Sequence, residues 1–290
     1  MPALNRPLIS VIAPAHNEAE NIDRLVEEVG IAAEKAALVL GSLREGESGG
    51  AGGFEFIVVD DGSTDDTRAL LLKLSADRPW LRVVAMTNTP PGKGNGQSAA
   101  FHAGFRAARA DLVATLDADL QNDPADLVQM AELLIKHNAD MVQGDRSRNR
   151  RDNFVRRWGS WVGRTFRRAL LGDTIRDTGC SLRLFKREIA LRLPLEFKGI
   201  HRFIPASARH MGYTVVEMPV NHRERHAGTS KYGMGITKRA IPGLLDLFAV
   251  RWMRNRRRPV TSIEATPDAS TEPTPRVQFA TRAGRAHADR

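Results

Sequence analysis

A single cysteine, Cys180, stands among 290 residues, so no disulfide can close within the chain. That excludes a disulfide-stapled secreted scaffold and suits a reducing cytosol. Long apolar runs are missing too. Ala240 to Val250 is interrupted by Pro242 and Asp246 and falls well short of the about 20 residues a spanning helix needs, so no transmembrane segment is expected. Met1 to Leu8 has no charged-then-apolar secretory pattern, and the apolar run after it is cut by Pro14. Two nucleotide fingerprints are lacking as well. Gly92-Lys93-Gly94-Asn95-Gly96 follows the third strand rather than the first, departs from the G-x-G-x-x-G spacing, and has no Lys-Ser/Thr pair after it. Its plain reading is a tight turn into a helix.

What is present suffices for a full core, with 42% hydrophobic residues. The length exceeds a typical domain of about 150 residues, yet single α/β domains reach about 250, which suggests one globular unit with a tail. The net charge of +9 hides a division: residues 1–145 hold 12 Lys/Arg against 22 Asp/Glu, and residues 146–290 hold 31 against 12. Such a split points to an acidic half and a half that meets an anion or an anionic surface.

Along the first half, strands alternate with helices. Strands are expected at Leu8 to Ala13, Phe54 to Val59, Leu81 to Met86, Leu112 to Leu116 and Asp140 to Gly144. Helices are expected from Asn17-Glu18, over Arg68 to Leu74, Gln97 to Ala108 and Ala125 to Lys136. Gly41 to Gly53 reads as a flexible insertion. The alternation implies a parallel sheet with helices on its faces, and such sheets bind ligands beyond the carboxyl ends of their strands. His16 to Glu18, Asp60-Asp61 and Asp117-Asp119 all fall at those ends.

Asp117-Ala118-Asp119-Leu120-Gln121 carries the chemistry. Residues two apart in extended backbone point to the same side, so Asp117, Asp119 and Gln121 could converge on a hard cation, Mg²⁺ or Mn²⁺. An ion held by two or three protein oxygens keeps positions open for a diphosphate. That favours nucleotide-sugar chemistry over hydride transfer. The plainer alternative is that these acids solvate a strand end and cap the next helix.

Five motifs occur in order: Pro14-Ala15-His16-Asn17-Glu18, Val59-Asp60-Asp61-Gly62-Ser63, Asp117-Ala118-Asp119-Leu120-Gln121, Gly144-Asp145-Arg146 and Gly228-Thr229-Ser230-Lys231-Tyr232. Together, over roughly residues 8 to 240, they resemble the family 2 glycosyltransferases of GT-A fold, and more narrowly their dolichyl- or polyprenyl-phosphate mannosyltransferase branch. The resemblance implies an α/β fold with a mostly parallel central sheet flanked by helices. It implies that Pro14, His16, Glu18, Val59 and Asp61 line the nucleotide pocket, and that Asp117, Ala118 and Asp119 meet the sugar diphosphate. Asp119 and Gln121 would lie most directly on the metal. Arg146, Arg225 and Lys231 would contact phosphates, with Arg157 and Ser160 joining Arg146 at the acceptor phosphate. The family more often has an aromatic residue where His16 stands, and its longer bacterial members continue into two membrane-spanning helices.

The second half fits that implication. Residues 146–187 carry 13 Lys/Arg against 3 acids. Phe154, Trp158, Trp161, Val162 and Ala169 share one side of an expected helix, with arginines on its other sides, as in a segment lying at a membrane interface or an ordinary core-facing helix. Asp177 is either a general base or a turn cap. A phosphate monoester is already anionic at neutral pH, so a role in positioning the acceptor is expected. Asn221 to Tyr232 reads as a mobile cationic loop that folds over a diphosphate.

The expected organisation is a glycosyltransferase domain over 1–240, split into a nucleotide-sugar half (1–145) and an acceptor half (146–240), then an amphipathic basic helix over 241–258 and a disordered tail over 259–290. The expected activity is metal-dependent, inverting transfer of one sugar from a nucleotide diphosphate (GDP-mannose or a UDP-hexose) to polyprenyl phosphate. The enzyme would sit peripherally on the inner membrane face, with or without a separate membrane subunit. A soluble or polysaccharide acceptor, and a non-catalytic basic protein that binds membrane or nucleic acid, are the alternatives.

Overall fold

The computed structural model describes residues 6–42, 53–90, 93–147, 154–223 and 236–258, with side chains described outside 154–162 and 236–241. The predicted insertion (apart from its ends), the tail after 258, and Arg225 and Lys231 lie outside the described residues.

Seven strands form one sheet: β1 (Ile9–Ala15), β2 (Phe54–Asp60), β3 (Leu81–Ala85), β4 (Leu112–Thr115), β5 (Met141–Asp145), β6 (Arg183–Lys186) and β7 (Val215–Pro219), in the order β3-β2-β1-β4-β6-β5-β7. Every neighbouring pair is parallel except those of β6, which runs against both β4 and β5. The carboxyl ends of β1, β2, β4, β5 and β7 therefore share one rim, and β6 begins there with Arg183.

Helices cover both faces, which is why β1, β2 and β4 read as near-continuous apolar runs. On one face lie α1 (Ala19–Gly41) and α4 (Asp126–Lys136), whose buried residues recur at helical spacing: Ile22, Leu25, Val26 and Val29 on α1, and Leu127, Met130, Ala131 and Leu134 on α4. α2 (Thr67–Ser75) packs beside α1. On the other face lie α3 (Gln97–Ala107), α6 (Arg187–Leu191), a 3₁₀ turn at Ile200–Phe203 and α7 (Ile204–His210). α5 (Phe154–Leu171) and α8 (Ile236–Arg256) pack against each other beside them. α3 rests directly on the sheet because Gly104 has no side chain; a Cβ there would lie 2.4 Å from the Ile12 Cγ2. Phe105 sits between Phe101 (centroids 5.8 Å apart) and Phe185 (5.6 Å), fully in the core. Truncating such a ring typically costs about 3–5 kcal/mol.

The reversed direction of β6 adds to the expected pattern. Its register sets Arg183 opposite Thr115 on one side and Gln143 on the other. A charged side chain thus stands at the centre of the sheet, directly under the rim.

Candidate active site

At the ends of β1 and β2, most polar groups are spent on one another. The buried Asp60 accepts from the Ser63 amide at 2.9 Å and pairs with Arg68, which fixes the turn into α2. Asp61, also buried, accepts from the amides of Asn95 at 2.8 Å and Gly96 at 2.7 Å. The glycine-containing segment before α3 is therefore more than a tight turn: it cradles a carboxylate of the protein itself. Gly94 is required for this approach, since a Cβ there would lie 2.4 Å from the Asp61 Oδ2. His16 Nδ1 donates to the Asp61 carbonyl at 2.8 Å, which fixes the ring against the end of β2. Glu18 stands at the N-cap of α1 and accepts from Asn21, while its own amide donates to the Thr67 hydroxyl. Pro14 lies within β1 opposite Val59, and the Val59 side chain is wholly in the core. Any contact of Val59 with a ligand would come from its main chain.

The end of β4 differs. β4 stops at Thr115, and the chain turns through Asp117 to Leu120, with Leu120 in the left-handed region at φ 59°. The extended-backbone alternation expected to align Asp117, Asp119 and Gln121 is therefore absent, and the turn brings the acids together instead. Asp119 is buried, and its Oδ1 accepts from the Gln121 amide at 3.2 Å. Asp117, half-buried, accepts from the Gln97 amide group at the start of α3. Desolvation and then the adjacent Asp119 carboxylate push the Asp117 carboxyl above its ordinary range, against the pull of the Ser181 hydroxyl, Arg146 and Arg183. Ala118 packs its methyl group into the core.

Beyond β5, Arg146 and Asp177 meet as a pair: Arg146 Nε donates at 2.8 Å and Nη2 at 3.3 Å, and the Gly179 amide donates to Asp177 at 3.0 Å. The guanidinium is buried, yet this carboxylate raises its already high pKa. The two residues expected to act separately, on phosphate and on acceptor, are thus committed to each other. Asp177 is a turn and ion-pair residue here, with both carboxylate oxygens accepting from Arg146 or the Gly179 amide. Next to it, Arg183 is 1% exposed; its Nε donates to Gln143 Oε1 at 2.8 Å and Nη2 to the Thr178 carbonyl at 3.0 Å. Nη1 is buried without a partner. Desolvation brings this guanidinium's pKa down to about 10 despite Cys180, Asp117 and Asp177 nearby. Gln143 in turn donates to the carbonyls of Asp177 and Cys180. Arg183 and Gln143 thereby fasten the 177–181 loop under the rim.

The root of the predicted cationic loop is fixed beside the β4 turn. The Arg223 amide donates to the Gln121 carbonyl at 2.9 Å, its guanidinium pairs with Glu28 and Asp123, and Asn122 bridges to His222. The side chains of Arg157 and Ser160 lie outside the described set. Sequence reasoning missed Gln97, Ser181 and Arg183. Only Arg183 left a signal, an arginine within the apolar strand Leu182 to Phe185. His201 pairs its Nδ1 with the Ser98 hydroxyl at 2.7 Å, and burial, helped by Arg183 and Arg202, lowers its pKa to about 3.

Among the described residues no group of three or more His, Cys, Asp or Glu side chains is arranged to hold a metal ion. The donors at the β4 turn are two carboxylates and a glutamine, all oxygen ligands. That set fits a hard cation completed by substrate phosphates, and the repulsion from Asp119 that adds to desolvation in raising Asp117 is what a bound cation would relieve.

Residues 10–193 match the family described as "Glycosyl transferase family 2". A dodecaprenyl-phosphate galacturonate synthase of Rhizobium johnstonii is 36% identical over 256 residues, 87% of this chain and 69% of the relative. An undecaprenyl-phosphate 4-deoxy-4-formamido-L-arabinose transferase of Sodalis glossinidius is 32% identical over 226 residues, 78% and 63% of the two chains. The chain thus spans about three fifths to two thirds of the length of such relatives. Among solved structures, glucosyl-3-phosphoglycerate synthase of Mycobacterium tuberculosis, in complex with Mn²⁺, UDP-glucose and phosphoglyceric acid, superposes with a TM-score of 0.58 at 21% identity, covering 84% of this chain and 80% of that one. A mannosyltransferase of Pyrobaculum calidifontis, in complex with GDP-mannose and Mn²⁺, superposes at 0.54 and 20% identity, covering 88% and 66%. These two share the fold, GT-A, with its mostly parallel sheet between helical layers. The match over residues 10–193 and the relatives' identity establish that the chain belongs to glycosyl transferase family 2.

Proposed function

We propose that this chain transfers one sugar from a nucleotide diphosphate to a polyprenyl phosphate, with inversion at the anomeric carbon, at the surface of a membrane. The observation that carries the reading is the pair Asp117 and Asp119 at the β4 turn, where desolvation and then the neighbouring carboxylate lift the Asp117 carboxyl, at the rim where α/β sheets bind nucleotides. Asp117, Asp119 and Gln121 would hold Mg²⁺ or Mn²⁺. When bound, such an ion neutralises the diphosphate and makes it a better leaving group.

The chain's own residues do the rest. Pro14, His16, Glu18 and Asp61, with the main chain of Val59 and Ala118, border the space for the nucleotide. The loop rooted at Arg223, with Arg225 and Lys231, supplies cationic charge to the departing diphosphate. The acceptor phosphate is an anionic nucleophile near neutral pH and needs no strong base. Asp177 accordingly shapes the acceptor loop while Arg146, Arg157 and Ser160 border the acceptor phosphate; on approach of the acceptor, Arg146 exchanges part of its bond with Asp177 for that phosphate. The names of the relatives support a polyprenyl-phosphate acceptor. No helix among the described residues is long and apolar enough to cross a membrane. In this reading the acceptor is reached from the bilayer surface, with or without a separate membrane subunit.

The test is transfer of labelled sugar from a panel of GDP- and UDP-sugars to undecaprenyl phosphate, with Mn²⁺, with Mg²⁺ and with chelator. Lipid-linked product that needs metal is expected from at least one donor. Product on a soluble acceptor alone, or undiminished turnover in chelator, would overturn the proposal.

A further inference from the structure

α8 has two apolar sides. Leu247 and Val250 are buried at 4% and 8% exposure, whereas Leu245, Phe248 and Trp252 are 65%, 54% and 61% exposed. These last three lie at helical spacing on the outer side. Arg254, Arg256, Arg257 and Arg258 follow directly, with Arg256 over the Trp252 ring. On the opposite, inward side, with Val250 and Met253, α8 and the α6–α7 region enclose a cavity of about 90 Å³ that opens to solvent. In this measure a water needs roughly 10–15 Å³, so the space takes several methylene-sized groups.

The cavity's chemistry is one-sided. Leu193, Ile200, Val250 and Met253 form its floor, while Arg192, His210, Arg254 and Arg257 border it, and no carboxylate is among the lining residues. Arg192 also has Glu188 at 3.7 Å and lies over the Tyr213 ring, and Arg254 Nη1 donates to the Leu171 carbonyl. Burial and the charges of Arg254 and Arg257 lower the His210 pKa, so the cations crowd one another around an apolar hole.

We propose that this cavity seats one acidic phospholipid of the bilayer, its acyl chain against the apolar floor and its phosphate among Arg192, Arg254 and Arg257. The proposal deepens the membrane reading above and rests on it for the presence of a bilayer. Charge complementarity selects the occupant. A symmetric contact with a second copy would bring two arginine clusters of the same sign together. A peptide carboxylate would answer the cations but leave the narrow apolar floor unfilled. An anionic headgroup joined to a hydrocarbon chain satisfies both.

The experiment uses the full chain with phosphatidylcholine vesicles, with and without phosphatidylglycerol, read by flotation, and native mass spectrometry for a retained lipid. Three proteins are compared: wild type, the double variant Arg192→Glu/Arg257→Glu, whose side chains lie at the cavity mouth, and Ser207→Trp, which fills the cavity and keeps its charges. Thermal melts confirm folding, and transfer to a short, water-soluble prenyl phosphate is measured in parallel. Wild type should float with phosphatidylglycerol vesicles and carry one lipid. The double variant should bind at least about tenfold more weakly, and Ser207→Trp should lose the retained lipid, with soluble transfer within about twofold of wild type in both. Equal binding to neutral vesicles, a retained lipid in Ser207→Trp, displacement of that lipid by the prenyl phosphate, or a concentration-dependent dimer abolished by the double variant would each overturn the proposal. Loss of transfer in wild type with lipid retention intact would instead defeat the catalytic reading alone.

Discussion

Two pairs of aspartates stand at the ends of the two strands that flank β1 and do different work. Asp60 and Asp61, after β2, are buried and satisfied by Ser63, Arg68, Asn95 and Gly96. Asp117 and Asp119, after β4, face each other closely enough that desolvation and Asp119 together lift the Asp117 carboxyl. A carboxylate whose lone pairs are filled by local donors holds a loop. One that is desolvated next to another of the same sign is a place for a cation. Position at the rim is common to both pairs, and the partners separate their roles.

The comparison breaks first at Asp119. Asp119→Asn keeps size and shape but removes a charge, so sugar transfer should fall by at least about a hundredfold while the melting temperature stays within a few degrees of wild type. A comparable loss of stability would place Asp119 with the structural pair. Asp60→Ala should do the reverse, costing about 2–3 kcal/mol in denaturant unfolding because it strands Arg68 and the Ser63 amide. Unchanged stability there would dissolve the distinction. Gly94→Ala drives a methyl group into the Asp61 carboxylate, 2.4 Å away, and should cost about 1–3 kcal/mol, with weaker nucleotide binding as the loop before α3 shifts.

The smallest effect concerns pH. The fold raises the Asp117 carboxyl from its ordinary 3.8, so the folded state binds this proton more tightly than the unfolded chain does. Its favourable contribution is complete below the ordinary value and is lost as pH rises through the raised one. Asp117→Asn should therefore flatten that part of the stability profile and leave the metal-free protein no less stable at neutral pH. Urea unfolding of both proteins across the acid range checks this, and parallel curves would contradict it.

Much of the fold was legible because buried parallel strands are continuous apolar runs and their covering helices keep a strict period, as in β1, α1, β2 and α4. The direction of β6 was not, since Leu182 to Phe185 reads the same whichever way it enters the sheet; its neighbours decide. The acids of the rim were visible as residues ending apolar runs. Their division into a structural pair and a mutually repelling pair was hidden, because it depends on donors distant in sequence: Asn95 and Gly96 for Asp61, Gln97 and Ser181 for Asp117. The left-handed Leu120 was also invisible, as nothing about a leucine announces positive φ. Likewise, Arg146 and Asp177, 31 residues apart in the chain, could be read singly as hook and base but not as partners.

The central claim is that the β4 turn grips a cation only together with a diphosphate. Isothermal titration of GDP and UDP into wild type and Asp119→Asn, each with and without Mn²⁺, tests it directly. Wild type should bind one of the two nucleotides at least about tenfold more tightly with Mn²⁺, and the variant should show no such gain. Equal affinity with and without the metal in wild type, or an undiminished gain in the variant, would contradict the account.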